Sequence, residues 1–119
     1  MLLDSKSTVQ ELKASVRDFV AERDWLKYHN PKDLAEAICV EAAELLELFQ
    51  WVSSEEAVLW KSDPSKLSRV KEELADVLIY CLSMANVMEI DVSEAVLSKL
   101  KADSVKYPAD KYRGRARLE

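Results

Sequence analysis

Glycine occurs once in this chain of 119 residues, at Gly114, and proline only three times. These two residues end helices and open turns more readily than any others. A sequence so short of breakers and rich in Ala, Leu, Glu and Lys is constrained to an all-α fold. Its length fits one domain with a modest core. With 49% apolar and 33% charged residues, it has the balance of a folded soluble protein rather than a disordered one.

The few breaks coincide with helix-start signals. Thr8-Val9-Gln10-Glu11 is a capping box, opening a helix that turns Val9, Leu12, Val16, Phe19 and Val20 inward and fades near Lys27. After the turn Tyr28-His29-Asn30-Pro31, Asn30 caps a second helix from Pro31 to about Trp51. Ser53 with Glu56 caps a short helix to about Lys61. Asp63-Pro64 starts a third long helix to about Met88, and Asp91 with Glu94 caps a fourth that ends before Tyr107-Pro108. From Ala109 to Glu119 runs a tail with Lys111, Arg113, Arg115 and Arg117 and no periodic apolar pattern. The expected architecture is four helices, one short extra helix and a basic tail, without repeats or a second domain.

Several function classes fall away. No apolar run approaches the roughly 18 residues of a membrane span, and the N-terminus is unlike a signal peptide. Cys39 and Cys81 fall inside helical apolar patterns, so they are expected as buried, reduced thiols in a cytoplasmic protein. A net charge of −5 speaks against a general nucleic-acid binder. Gly-rich phosphate loops and Gly-x-Ser-x-Gly are absent. His29 is the only histidine, which excludes multi-His zinc or di-iron helix sites and disfavours a ferritin-like bundle. By default His29 is a polar turn residue, and Trp25, Trp51 and Trp60 are core or interface anchors.

Four carboxylates stand out against this background. Glu41-x-x-Glu44 lies on the second helix and Glu73-x-x-Asp76 on the third. Residues three apart on a helix are neighbours, so each pair can close on one ion. Acids on a surface helix normally lie opposite its apolar stripe. Here, at about 100° per residue, Leu34, Ile38, Leu45 and Leu48 fall within roughly 60° of Glu41. Glu44 is on the edge of that stripe. Asp76 shares a face with Tyr80, Met84 and Val87, and Glu73 lies between that face and Val77. A carboxylate forced into a core takes up a proton or needs a partner. Lys66 and Arg69, a turn before Glu73, are outnumbered by four acids, so a shared hard cation, Mg²⁺ or Mn²⁺, is the better expectation. Glu47 falls further round the polar side. It backs the ligands, holds a second metal, or is plain solvated surface.

At this point the chain resembles a known family. Glu41-x-x-Glu44, Glu47-Leu48-Phe49-Gln50-Trp51 and Glu72-Glu73-Leu74-Ala75-Asp76-Val77-Leu78-Ile79-Tyr80 are similar to the motifs of MazG-like nucleotide pyrophosphohydrolases, all-α NTP pyrophosphatases. The likeness runs on through Ala21-Glu22-Arg23-Asp24-Trp25, His29-x-Pro31, Val96-Leu97-Ser98-Lys99 and Lys106-Tyr107-Pro108. It is strongest to the dCTP pyrophosphatase branch. The resemblance implies a four-helix MazG-like bundle over residues 1–112, a basic tail over 113–119, and a homodimer or homotetramer. It implies Mg²⁺-dependent hydrolysis of a nucleoside triphosphate between the α and β phosphates, giving a monophosphate and pyrophosphate. Glu41, Glu44, Glu73 and Asp76 then match the metal ligands, and Glu47 or Glu44 orients or deprotonates the attacking water. Trp25, Trp51 and Tyr80 match aromatic positions of the nucleotide pocket, and Lys99 a position near the phosphates. Asp103 stands where relatives commonly carry an asparagine that helps hold substrate, and Val16 where some dCTP-type relatives carry histidine. Both departures bear on base preference and leave the cage untouched. The competing expectations are a broad-specificity housecleaning pyrophosphatase and, from a different class, a catalytically silent helical oligomerisation module.

Overall fold

In the computed structural model, which describes residues 3–116, the capping signals and the helices coincide. Helix α1 spans Val9–Glu22, α2 Pro31–Phe49, α3 Ser54–Leu59, α4 Pro64–Val87, α5 Val92–Lys106 and α6 Ala109–Tyr112. Side chains of Thr8, Asn30, Ser53, Asp63 and Asp91 accept backbone N–H bonds at the starts of α1 to α5. Each such cap is worth about 1 kcal/mol against alanine. In the first box Thr8 Oγ1 also donates to Glu11 Oε1 at 3.3 Å. Pro31 and Pro64 each open a helix where the missing N–H costs nothing. A 3-10 turn, Leu26–Tyr28, follows α1, and another, Trp60–Ser62, joins α3 to α4. There is no strand among the described residues.

The chain forms two compact units, one reaching to Glu89 and one from Ile90 onward. In the first, α4 packs against both α1 and α2. Leu34, 2% exposed, is the most deeply buried large side chain, joined in the core by Val20, Trp60 and Ala85. Phe49 stacks on Trp60 with ring centroids 4.7 Å apart, tying the end of α2 to the turn before α4. Asn86 Nδ2 donates to the Lys13 carbonyl at 2.9 Å, linking α4 to α1. Two non-glycine residues hold left-handed backbone, Asp24 (φ 55°) after α1 and Glu89 (φ 54°) after α4.

Three expectations need correction. Cys39 and Cys81 are free thiols but exposed, not buried. Each lies five residues past a stripe position, Leu34 or Asp76, which turns it about 140° away. Of the core and interface roles expected for Trp51, the core one is excluded, since the side chain is 89% exposed. The tail is not wholly irregular either, since α6 forms after Pro108, with Tyr112 edge-on to Tyr107 at 5.2 Å. Arg117 and the end of the tail lie outside the described residues. The second unit also leaves α5 without a buried residue. Val96, Leu97, Leu100 and Val105 there are each more than half exposed.

Candidate metal centre

Helix periodicity brings the site together from two elements. On α2 the least exposed positions include Leu34, Ile38, Glu41, Leu45 and Leu48, one stripe with a carboxylate in its middle. On α4, Val70, Glu73, Val77, Tyr80 and Met84 behave the same way. Packing α2 against α4 therefore forces acids from both stripes to meet. One carboxylate oxygen from each of Glu41, Glu73 and Asp76 falls within 4.8 Å of the others. Oxygens on a single octahedral Mg²⁺ lie about 3 to 4 Å apart, from bond lengths of 2.0–2.1 Å, so a small contraction would close the set. Glu44 is close enough to both Glu41 and Glu73 to raise their carboxyls.

The electrostatics of the converging acids favour a cation among them. Burial, then Glu44, then Asp76 and Glu73 push the Glu41 carboxyl above its ordinary value. Burial, with Glu44 and Asp76 next, pushes Glu73 up as well. Oε2 of each of these two glutamates is buried without a hydrogen-bond partner. Buried polar atoms are normally satisfied, and two orphaned carboxylate oxygens on converging acids fit a cation. Lysine and arginine do not fill that role. Lys66 lies 5.3 Å from the centroid of the Trp60 ring. Arg69 forms no ion pair with the cluster, and the ion pairs among the described residues are Arg23–Glu22, Lys27–Asp24 and Lys99–Asp103. The donor set is all oxygen, which suits a hard divalent cation rather than a soft one.

Beside the cage opens a cleft of about 340 Å³, lined by Glu44, Glu47, Leu48, Gln50, Arg69 and Glu73. Glu47 therefore borders the site from its exposed side. Sequence reasoning considered Arg69 only as a counter-ion and Gln50 only as part of a motif. The signal for Arg69 was its position four residues before Glu73, which puts both on one face of α4.

The aromatic candidates are dispersed. Trp25 is 44% exposed and meets Phe19 edge-on at 5.8 Å. Tyr80 faces His29 at 6.5 Å, so His29 is half-buried rather than a bare turn residue. Trp51 contacts no other ring among the described residues. In the second unit Lys99 Nζ donates to Asp103 Oδ1 at 2.9 Å, and this bond, aided by the aspartate's charge, holds the lysine above its usual pKa. Val16 is half-buried on α1.

Fold and site together define an all-helical protein whose packed helices present a carboxylate cage beside an open cleft. A model of the MazG-like family matches residues 37–117, and the chain belongs to that family. It is 37% identical over 112 residues to dCTP pyrophosphatase 1 of Bos taurus, an alignment spanning 94% of this chain and 66% of the relative. Identity to the Mus musculus protein of that name is 38% over 109 residues, 92% of this chain and 64% of the relative. The chain thus spans slightly less than two thirds of the length of these relatives. The crystal structure of a pyrophosphatase from Archaeoglobus fulgidus superposes with a TM-score of 0.77 at 43% identity, covering 91% of this chain and 99% of that one.

Proposed function

We propose that this protein is a Mg²⁺-dependent nucleoside triphosphate pyrophosphohydrolase acting on dCTP or related deoxynucleotides. The observation that carries this reading is the convergence of Glu41, Glu73 and Asp76 oxygens, two of those side chains with an oxygen buried and unpartnered. The names of the relatives supply the reaction and the nucleotide. Glu41, Glu44, Glu73 and Asp76 would hold Mg²⁺, with Mn²⁺ as substitute. Bound there, the cation would offset the negative charge on the triphosphate oxygens, including those of the phosphorus under attack, and would acidify bound water.

The remaining steps belong to the chain's own groups. Water oxygen bonds to the α-phosphorus while the bond from that phosphorus to the bridging oxygen breaks. The electron pair leaves on pyrophosphate, and the nucleoside monophosphate remains. Glu47 or Glu44, both bordering the cleft, accepts the proton of the attacking water. Trp25, Trp51 and Tyr80 supply faces for the base. The exposed apolar side chains of α5 favour a homodimer or homotetramer, since a helix hides its apolar residues against a partner. Free, exposed thiols at Cys39 and Cys81 suit the reducing cytoplasm.

The test is to incubate the protein with Mg²⁺ and each canonical deoxynucleoside and ribonucleoside triphosphate, and to separate pyrophosphate from orthophosphate. Pyrophosphate with dCMP, formed fastest from dCTP, is the expected outcome. Comparable rates for purines and pyrimidines would replace the dCTP preference by broad housecleaning activity. Absence of turnover for all of them would leave the silent oligomerisation module.

A further inference from the structure

The cleft beside the cage contains a cation that the cage does not use. Arg69 lines it together with Glu44, Glu47 and Glu73, yet forms no ion pair with any of the three. An arginine among three carboxylates is the group they would be expected to recruit as a counter-ion. Its guanidinium instead stays uncommitted. Gln50, at the end of α2, also lines the cleft, and its amide carries two N–H donors. The cleft thus has acids on the side of the cage and two donor-bearing side chains, one from α2's end and one from α4. Its volume, about 340 Å³, matches roughly ten water molecules at about 30 Å³ each, ample for two phosphate groups.

We infer that Arg69 and Gln50 grip the polyphosphate end of the substrate, the part that departs as pyrophosphate. This rests on the pyrophosphohydrolase reading above and gives Arg69 and Gln50 a role that neither the motif spacing nor the resemblance supplied. A triphosphate carries several negative charges toward a site already holding four carboxylates. A cation in the cage addresses the phosphates nearest to it, and the far end needs donors of its own. A guanidinium presents its N–H groups as a planar fork that matches phosphate oxygens in pairs, which an ammonium does not. The ordinary alternative is that Arg69 is a solvated residue that tempers the acidic cleft through its charge alone.

The experiment is calorimetric titration of inorganic pyrophosphate into the full chain at saturating Mg²⁺, for wild type, Arg69→Ala, Arg69→Lys and Gln50→Ala. Arg69 is exposed, so its variants fold, and thermal melts check this. A charge-assisted hydrogen bond is worth about 1.5–3 kcal/mol, so Arg69→Ala weakens pyrophosphate binding roughly ten- to a hundredfold. Gln50→Ala costs about fivefold, the scale of a neutral bond, and Arg69→Lys falls between wild type and Arg69→Ala. Binding of dCMP stays within twofold in all four proteins. In turnover, KM for the triphosphate rises in Arg69→Ala by more than kcat falls, as for binding shared by ground and transition states. Equal pyrophosphate affinity in wild type and Arg69→Ala would overturn the grip while leaving the pyrophosphohydrolase intact. So would an Arg69→Lys variant equal to wild type with dCMP weakened as much as pyrophosphate in Arg69→Ala, the pattern of charge alone. A wild type that neither binds pyrophosphate nor releases it from any triphosphate would remove both readings.

Discussion

At the residue scale, Glu41 and Glu73 are carboxyls whose ionisation the fold opposes. Their carboxyls are held above the ordinary range by burial and by neighbouring acids, so the folded chain binds their protons more tightly than the unfolded chain does. Stability from these two groups is therefore full at acid pH and is lost as pH rises through their raised pKa values, opposite in sign to a salt-bridged acid. In EDTA, the melting temperature of wild type should fall more than that of Glu41→Gln/Glu73→Gln as pH rises from the ordinary carboxyl value of 4.5 toward neutrality. At the upper end of that range the double variant should be the more stable protein, and added Mg²⁺ should stabilise only wild type. A steeper fall in the double variant would mean the two carboxylates are already neutralised by something else. Helical-wheel reasoning reached Glu41 because a carboxylate among Leu34, Ile38, Leu45 and Leu48 is out of place on any amphipathic helix. It failed for Cys39 and Cys81 because it places a residue by angle and does not say how far round a neighbouring helix reaches. Arg69 was legible only as a counter-ion for a related reason, since a cleft is a property of two packed helices and neither sequence segment contains it.

At the scale of the element, the helices were legible because their starts are written in short-range chemistry. Side-chain oxygens of Thr8, Asn30, Ser53, Asp63 and Asp91 each reach an N–H two or three residues ahead, a contact that sequence spacing alone determines. Asp91→Ala should cost about 1 kcal/mol in urea unfolding at fixed protein concentration. Helix ends were less legible. Glu89 closes α4 in left-handed backbone at φ 54°, a role glycine usually takes, and nothing in its chemistry announces that. Glu89→Gly should raise stability by about 0.5–1 kcal/mol, by relief of the left-handed penalty. A loss of stability would show that the glutamate side chain contributes more than its backbone costs. The single turn α6 went unread because four residues carry no period. Leu34→Ala, in contrast, should destabilise by about 2–5 kcal/mol, as expected for a leucine removed from a packed helix interface.

At the scale of the whole molecule, a chain poor in glycine and proline could only stack helices, and packing α2 on α4 aligns their two acidic stripes. The same chain leaves Val96, Leu97, Leu100 and Val105 of α5 uncovered. Sedimentation equilibrium at micromolar concentration should therefore return an integral multiple of the chain mass, two or four, and a monomer at those concentrations would contradict the proposed assembly. No described helix is long and apolar enough to cross a bilayer. Base preference was the least legible property. The aromatic side chains proposed to flank the base, Trp25, Trp51 and Tyr80, make no ring contact with one another.

The proposed pyrophosphohydrolase activity of this helical chain depends on its converged carboxylates. Its most direct measurement is the rate of Mg²⁺-dependent pyrophosphate release from dCTP by wild type, Glu41→Gln and Asp76→Asn, with helicity checked in each. Both variants should remain folded and lose at least about a hundredfold in rate, the scale expected when a group stabilising transition-state charge is removed. Undiminished release in both would contradict the account.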